Sequence, residues 1–118
     1  MRRRSKARPG ARAIPRTLRR RTVRWALSDG RGGTTVYHHT FNADGSIVYR
    51  GESLVGRGSR IRPGRSLLGR LSEGVFVVSY LNPPYTLTAF LDASTGKVQG
   101  VVSSSKMWSR FAGTWTVV

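Results

Sequence analysis

The chain has 118 residues, 21 Lys and Arg against five Asp and Glu, and a formal net charge of +16. That length allows one domain, and the absence of cysteine excludes a disulfide framework or thiolate metal site and fits a cytoplasmic protein. Apolar runs are short, such as Val75-Phe76-Val77-Val78, against the roughly 20 residues a membrane helix needs, so no membrane partner is expected.

The charge is uneven. Residues 1–24 hold 11 basic residues and no acid, whereas residues 25–118 hold ten against five. The N-terminal arginines are not followed by an apolar stretch, so they are no secretory signal. With Pro9, Gly10, Pro15 and few large apolar side chains, residues 1–21 cannot offset the entropy of ordering and are predicted to be a disordered basic tail. Three readings of it stay open. It is a solvated segment without a partner, an arm that binds nucleic acid non-specifically through residues 1–24, or a transit peptide, for which serine is scarce.

From Thr22 the texture changes, and residues 22–118 are predicted to form an all-β domain. Thr22–Leu27 is the first strand, followed by a turn at Ser28-Asp29-Gly30-Arg31-Gly32-Gly33. Thr34–Phe41 is the second, and Asn42-Ala43-Asp44-Gly45 the next turn. Ser46–Arg50 and Glu52–Val55 make one or two more. Gly56 to Ser66, with Pro63-Gly64, reads as a loop or irregular edge strand. Leu67–Leu71, Val75–Leu81, Tyr85–Leu91 and Lys97–Ser103 follow, each bounded by turn residues. Thr114–Val118 ends the chain, with Met107–Phe111 as a connection before it. Seven to nine strands in sequential hairpins suit a single small antiparallel barrel or a sandwich. A barrel of about eight strands can enclose one small ligand.

The chemistry on offer is limited. His38 and His39 are adjacent, so on a strand they face opposite sides and cannot chelate one ion; one of them faces the interior. Gly56-Arg57-Gly58 has no helix after it, so no nucleotide loop and no cofactor are expected. Of the acids, Asp29, Asp44, Glu73 and Asp92 sit in turns, where capping explains them. The aromatics Trp25, Tyr37, Tyr49, Tyr80, Tyr85, Trp108 and Trp115 fall on or beside strands and serve first as core. Tyr and Trp lining a barrel pocket, with an arginine from the cluster Arg57, Arg60, Arg62 and Arg65 at its mouth, would also suit an aromatic acid.

Several stretches carry a resemblance: Ile47-Val48-Tyr49-Arg50, Leu54-Val55-Gly56-Arg57, the run from Leu71 to Tyr80, Asn82-Pro83, and Lys97-Val98-Gln99-Gly100. Together they look like the central part of phenolic acid decarboxylases. Phe111-Ala112-Gly113-Thr114-Trp115 resembles the related MoaF-type proteins. The resemblance implies a calycin-like (lipocalin-like) barrel with an interior pocket, which often pairs as a homodimer. The decarboxylases remove CO2 from hydroxycinnamic acids without a cofactor. They use a Tyr-x-Tyr pair on the first strand, an arginine after a Val-x-Gly step, and a glutamate before a proline. Here the arginine corresponds to Arg57, or to Arg60 if the loop aligns differently. The glutamate position is Asn82, which cannot exchange a proton as a carboxylic acid does. The tyrosine pair is replaced by Trp25-Ala26-Leu27. The expectation is therefore a small-molecule pocket with Arg57, Asn82, Tyr80 and Trp25 at the ligand, and Tyr37, His38 and Arg60 as further candidates. A diverged lyase, with Tyr37 or His38 as its acid, is the alternative.

Overall fold

The computed structural model describes residues 18–28, 32–52 and 58–118. Nine strands form in chain order: β1 Thr22–Ser28, β2 Thr34–Phe41, β3 Ile47–Gly51, β4 Ser59–Ile61, β5 Ser66–Ser72, β6 Val75–Asn82, β7 Tyr85–Asp92, β8 Lys97–Ser103 and β9 Trp108–Val117. A 3-10 turn, Pro63–Arg65, joins β4 to β5. All ladders are antiparallel, in the order β4-β3-β2-β1-β9-β8-β7-β6-β5. The first and last strands therefore pair in the middle of the sheet, with Trp25 opposite Trp115. The sheet curls until β4 lies against β6, giving a nearly closed barrel.

Alternation explains which side chains go inside. Along β1, Val23 and Trp25 are buried while Arg24 between them is not. Along β7, Ala89 and Leu91 are buried on either side of exposed Phe90. The turns obey local chemistry. Asp44 Oδ1 accepts hydrogen bonds from Ser46 N at 2.8 Å and from the Ser46 hydroxyl, and Gly45 takes a φ of +92°, which a side chain would resist. The strands bring Val23, Phe41, Ile47, Ile61, Leu68, Val78, Leu91, Val98 and Trp115 together at one end of the barrel as a packed plug. The opposite end is left to wider side chains and a cavity.

Two expectations need correction. Residues 18–21 belong to the fold rather than the tail: Leu18 is buried in the plug, and Arg20 N donates to the Phe41 carbonyl at 2.7 Å. Residues 1–17 lie outside the described residues. The C-terminal region is one ten-residue strand, with no break at Met107–Phe111, because Ser103 to Lys97 of β8 pairs without interruption along Trp108 to Thr114. Gly113, within this strand, permits close approach of the β1 backbone. Of the two readings for Gly56 to Ser66, the described part supplies an edge strand, β4. Among the described residues, no helix is long and apolar enough to cross a membrane.

Leu18 gives a direct test of where the fold begins. Leu18→Ala is expected to cost about 2–4 kcal/mol, as for other fully buried leucines. Truncation to residue 21 is expected to cost at least as much. Urea unfolding of both variants checks this, and an unchanged midpoint would place Leu18 outside the core.

Candidate functional site

At the open end the strands place four rings in a stack. Trp25 of β1 lies on His39 of β2 with centroids 3.9 Å apart. His39 in turn faces Tyr49 of β3 at 5.3 Å, and Tyr49 stacks on Tyr80 of β6 at 5.3 Å. Phe111 of β9 extends the stack beyond Trp25, at 6.1 Å. This grouping follows from register: Trp25 is opposite Tyr37, and His39 is opposite Tyr49, all on the inward parity.

Two hydrogen bonds fix the stack. His39 Nε2 lies 2.9 Å from the Tyr80 hydroxyl, and Asn82 Nδ2 donates to the Tyr49 hydroxyl at 2.7 Å. Burial, helped by the nearby His38, pushes the His39 pKa down to about 3. Burial, then Tyr49 and Tyr37, pushes Tyr80 well above the usual phenol range. Both groups are therefore neutral at neutral pH. The floor offers hydrogen bonding without charge, and His39 cannot serve there as a protonated acid. Among the buried described side chains, Trp25 Nε1 and His39 Nδ1 have no hydrogen-bond partner. Stacking and two hydrogen bonds hold this floor in place of a saturated network.

Above the floor lies a cavity of about 1050 Å³. Leu27, Leu87, Val102 and Phe111 supply apolar wall; Tyr37, Tyr49, Asn82, Tyr85 and Ser109 supply hydroxyl and amide groups. Among its described lining residues Arg110 is the one full charge, and no carboxylate is present. The Arg110 guanidinium sits 6.0 Å from the exposed Trp108 ring. Among the described residues, no three His, Cys, Asp or Glu side chains gather as a metal site.

The sequence-predicted residues divide. Trp25, Tyr37, Tyr80 and Asn82 come together at the cavity. His38 does not: its Nε2 lies 3.2 Å from Glu52 Oε2 on the outer face, because the alternation that brings His39 in sends His38 out. Arg60 is also outside, 3.2 Å from Asp44 Oδ2 in an exposed ion pair. Arg57 lies outside the described residues. The sequence reading passed over His39, Tyr49 as a partner of Asn82, and Arg110. For His39 the signal existed, since it shares parity with Tyr37. For Arg110 it did not, since that stretch read as a connection.

No family matches this chain, and no curated protein does. Among solved structures, one described as a "putative beta-lactamase from Burkholderia vietnamiensis" aligns with a TM-score of 0.71. The alignment covers 89% of this chain and 98% of that one, at 11% identity. The likeness is one of fold. It carries no activity across.

Proposed function

We propose that the barrel binds a small, partly apolar, anionic molecule of the aromatic-acid class at its open end, as a MoaF-like calycin protein working in the cytoplasm. The observation that carries this reading is the lining: an aromatic floor, hydroxyl and amide groups on the wall, and no carboxylate among the described lining residues, with Arg110 exposed on the outer side of the rim beside Trp108. A flat ring would lie against Tyr37 or Phe111, and its carboxylate would be met at the rim by Arg110, whose side chain would swing over from the outer face to donate a charge-assisted hydrogen bond. The lyase alternative gains no specific support. Asn82 stands where the resemblance calls for an acid, and its amide is engaged with Tyr49.

Calorimetric titration with p-coumaric and ferulic acids tests the proposal. Binding is expected to weaken roughly ten- to a hundredfold in Arg110→Ala, since a hydrogen bond to a charged group contributes about 1.5–3 kcal/mol. It is expected to weaken similarly for 4-vinylphenol, which lacks the carboxylate. If neither acid binds, or the neutral analogue binds equally well, the reading is wrong. Steady cinnamate absorbance over long incubation would separate a binding protein from a decarboxylase.

A further inference from the structure

The outside of the barrel is divided into two chemically different halves. In the described residues from 18 to 65, eight arginines (Arg19, Arg20, Arg21, Arg24, Arg50, Arg60, Arg62, Arg65) stand against two carboxylates, Asp44 and Glu52. From residue 66 onward, four cations (Arg70, Lys97, Lys106, Arg110) stand against Glu73 and Asp92. The net charges are six and two. The exposed large apolar side chains show the reverse bias. All of them, including Leu67, Leu71, Leu81, Phe90 and Trp108, belong to β5 or later segments.

Register organises the basic half. Arg24 of β1, His38 of β2 and Arg50 of β3 are directly opposite one another across three strands. Arg60 of β4 pairs with Val48, one diagonal step from Arg50. Arg62 and Arg65 continue from Arg60 into the 3-10 turn. With strands about 4.8 Å apart, the line from Arg24 to Arg60 spans roughly 14 Å. Glu52 bridges Arg24 and His38, and Asp44 holds Arg60. Arg50, Arg62 and Arg65 have no carboxylate partner among the described residues. Neighbouring like charges on one sheet face repel, and nothing within this face offsets that for these three.

We propose that this outer face, β1 to β4 with the 3-10 turn, binds the phosphate backbone of duplex nucleic acid. The proposal is independent of the cavity, which lies inside the barrel. An anionic membrane is the poorer fit, because a membrane-seated face combines cations with apolar side chains that enter the bilayer, and here the exposed large apolar groups are on the other half. A single strand is also the poorer fit, because such binding relies on aromatic platforms, and none stands exposed on this face. Base reading is not expected. A broad convex sheet does not enter a groove about 12 Å wide, so contacts stay on phosphates and carry no sequence information.

The test uses the full chain and a short mixed-sequence DNA duplex, read by fluorescence anisotropy across a salt series. The triple variant Arg50→Glu, Arg60→Glu, Arg62→Glu is expected to weaken binding at least roughly tenfold and to flatten the log–log salt dependence by about 3, near 0.9 per lost phosphate contact. Arg70→Glu, Lys97→Glu, Lys106→Glu makes the same change in total charge on the other half and is expected to leave affinity within about threefold. A glutamine version of the first triple is expected to move the same way more weakly, and thermal melts confirm that each variant folds. Equal losses from both triples would mean that bulk charge, rather than this face, attracts the duplex. The proposal is also overturned if the first triple binds like the unmodified protein. Tighter binding to a single-stranded oligonucleotide, or to phosphatidylserine vesicles with the same arginine dependence, would reassign the face to that partner.

Discussion

Acidification from about pH 7 to pH 5 is expected to cost the barrel about 2 kcal/mol through His39 alone. Its pKa falls from the ordinary 6.5 to about 3 on folding, because the ring is buried against Trp25 and Tyr49 and His38 lies next to it. The unfolded chain therefore takes up a proton below pH 6.5 that the folded chain refuses. Stability is full above the unfolded value, declines by about 1.4 kcal/mol per pH unit below it, and has lost about 4 kcal/mol by pH 3. Asp44, Glu52 and Asp92 are also held below the usual carboxylate range, mainly by hydrogen bonds from Ser46, His38 and Ser94 respectively. Their contributions fade only as pH drops through the carboxylate range, so the interval from pH 6.5 to 4.5 isolates the histidine. His39→Phe keeps the stacking and removes the titration. It is expected to lose about 1 kcal/mol at pH 7, from the Tyr80 hydroxyl left without its partner, and to be nearly flat down to pH 5. Urea unfolding of both proteins at the two pH values decides the matter. Parallel slopes in His39→Phe and the unmodified protein would sink this account.

Adding one methyl group at Gly113 is expected to damage the fold about as much as removing several carbons from a buried leucine. A Cβ there would run into the Ala26 carbonyl oxygen and come within 2.9 Å of the Leu27 Cα. Both belong to the β1 backbone in the central ladder, which cannot move aside as the end of a flexible side chain can. Gly113→Ala is expected to cost about 3 kcal/mol, the upper end for overpacking. In a domain this size that is a fall of roughly 10 to 20 °C in melting temperature. Gly100→Ala meets the Thr88 carbonyl oxygen and the Phe111 ring and should behave similarly. Gly64→Ala, where a Cβ meets nothing within 4 Å, is the control and should melt within a few degrees of the unmodified protein. A Gly113→Ala protein that melts with that control would show that β1 and β9 have slack between them.

The strands were legible because period-two alternation and turn chemistry are local. Thr34–Phe41 and Lys97–Ser103 are bounded in the structure as the residues predict, and β1, β3, β5, β6 and β7 differ by one residue at one or both ends, whereas β9 begins six residues before the predicted Thr114. What was lost depended on distant partners. Leu18 looks like part of an arginine-rich tail until Phe41 is placed beside it. Thr114 looks like the start of the last strand until β8 is seen pairing back to Trp108. At the cavity, Trp25, Tyr37, Tyr80 and Asn82 could be chosen by residue type. Choosing His38 over His39 was an error of parity, since Tyr37 already fixed which of the two faces inward. Arg110 could not be found from charge alone, because nothing local separates it from the outer arginines. Its position near the start of β9 sets its backbone in the cavity rim while its side chain lies on the outer face with Trp108.

The meeting of β1 and β9 in mid-sheet also orders events in time. β2 to β4 and β5 to β8 pair with neighbours in sequence and can form as local hairpins. The seam between Val23 and Val117 closes a loop of nearly the whole domain, so its entropy must be met before any contact across it rewards the chain. During synthesis β1 emerges first, and its second ladder partner is the last strand made. Until then β1 carries one open edge, of the kind that recruits other chains. Arg19, Arg20, Arg21 and Arg24 crowd that edge with positive charge, so two nascent copies repel each other there. The same arginines that colour the outer face of the finished barrel thus act earlier, as guards of its slowest joint.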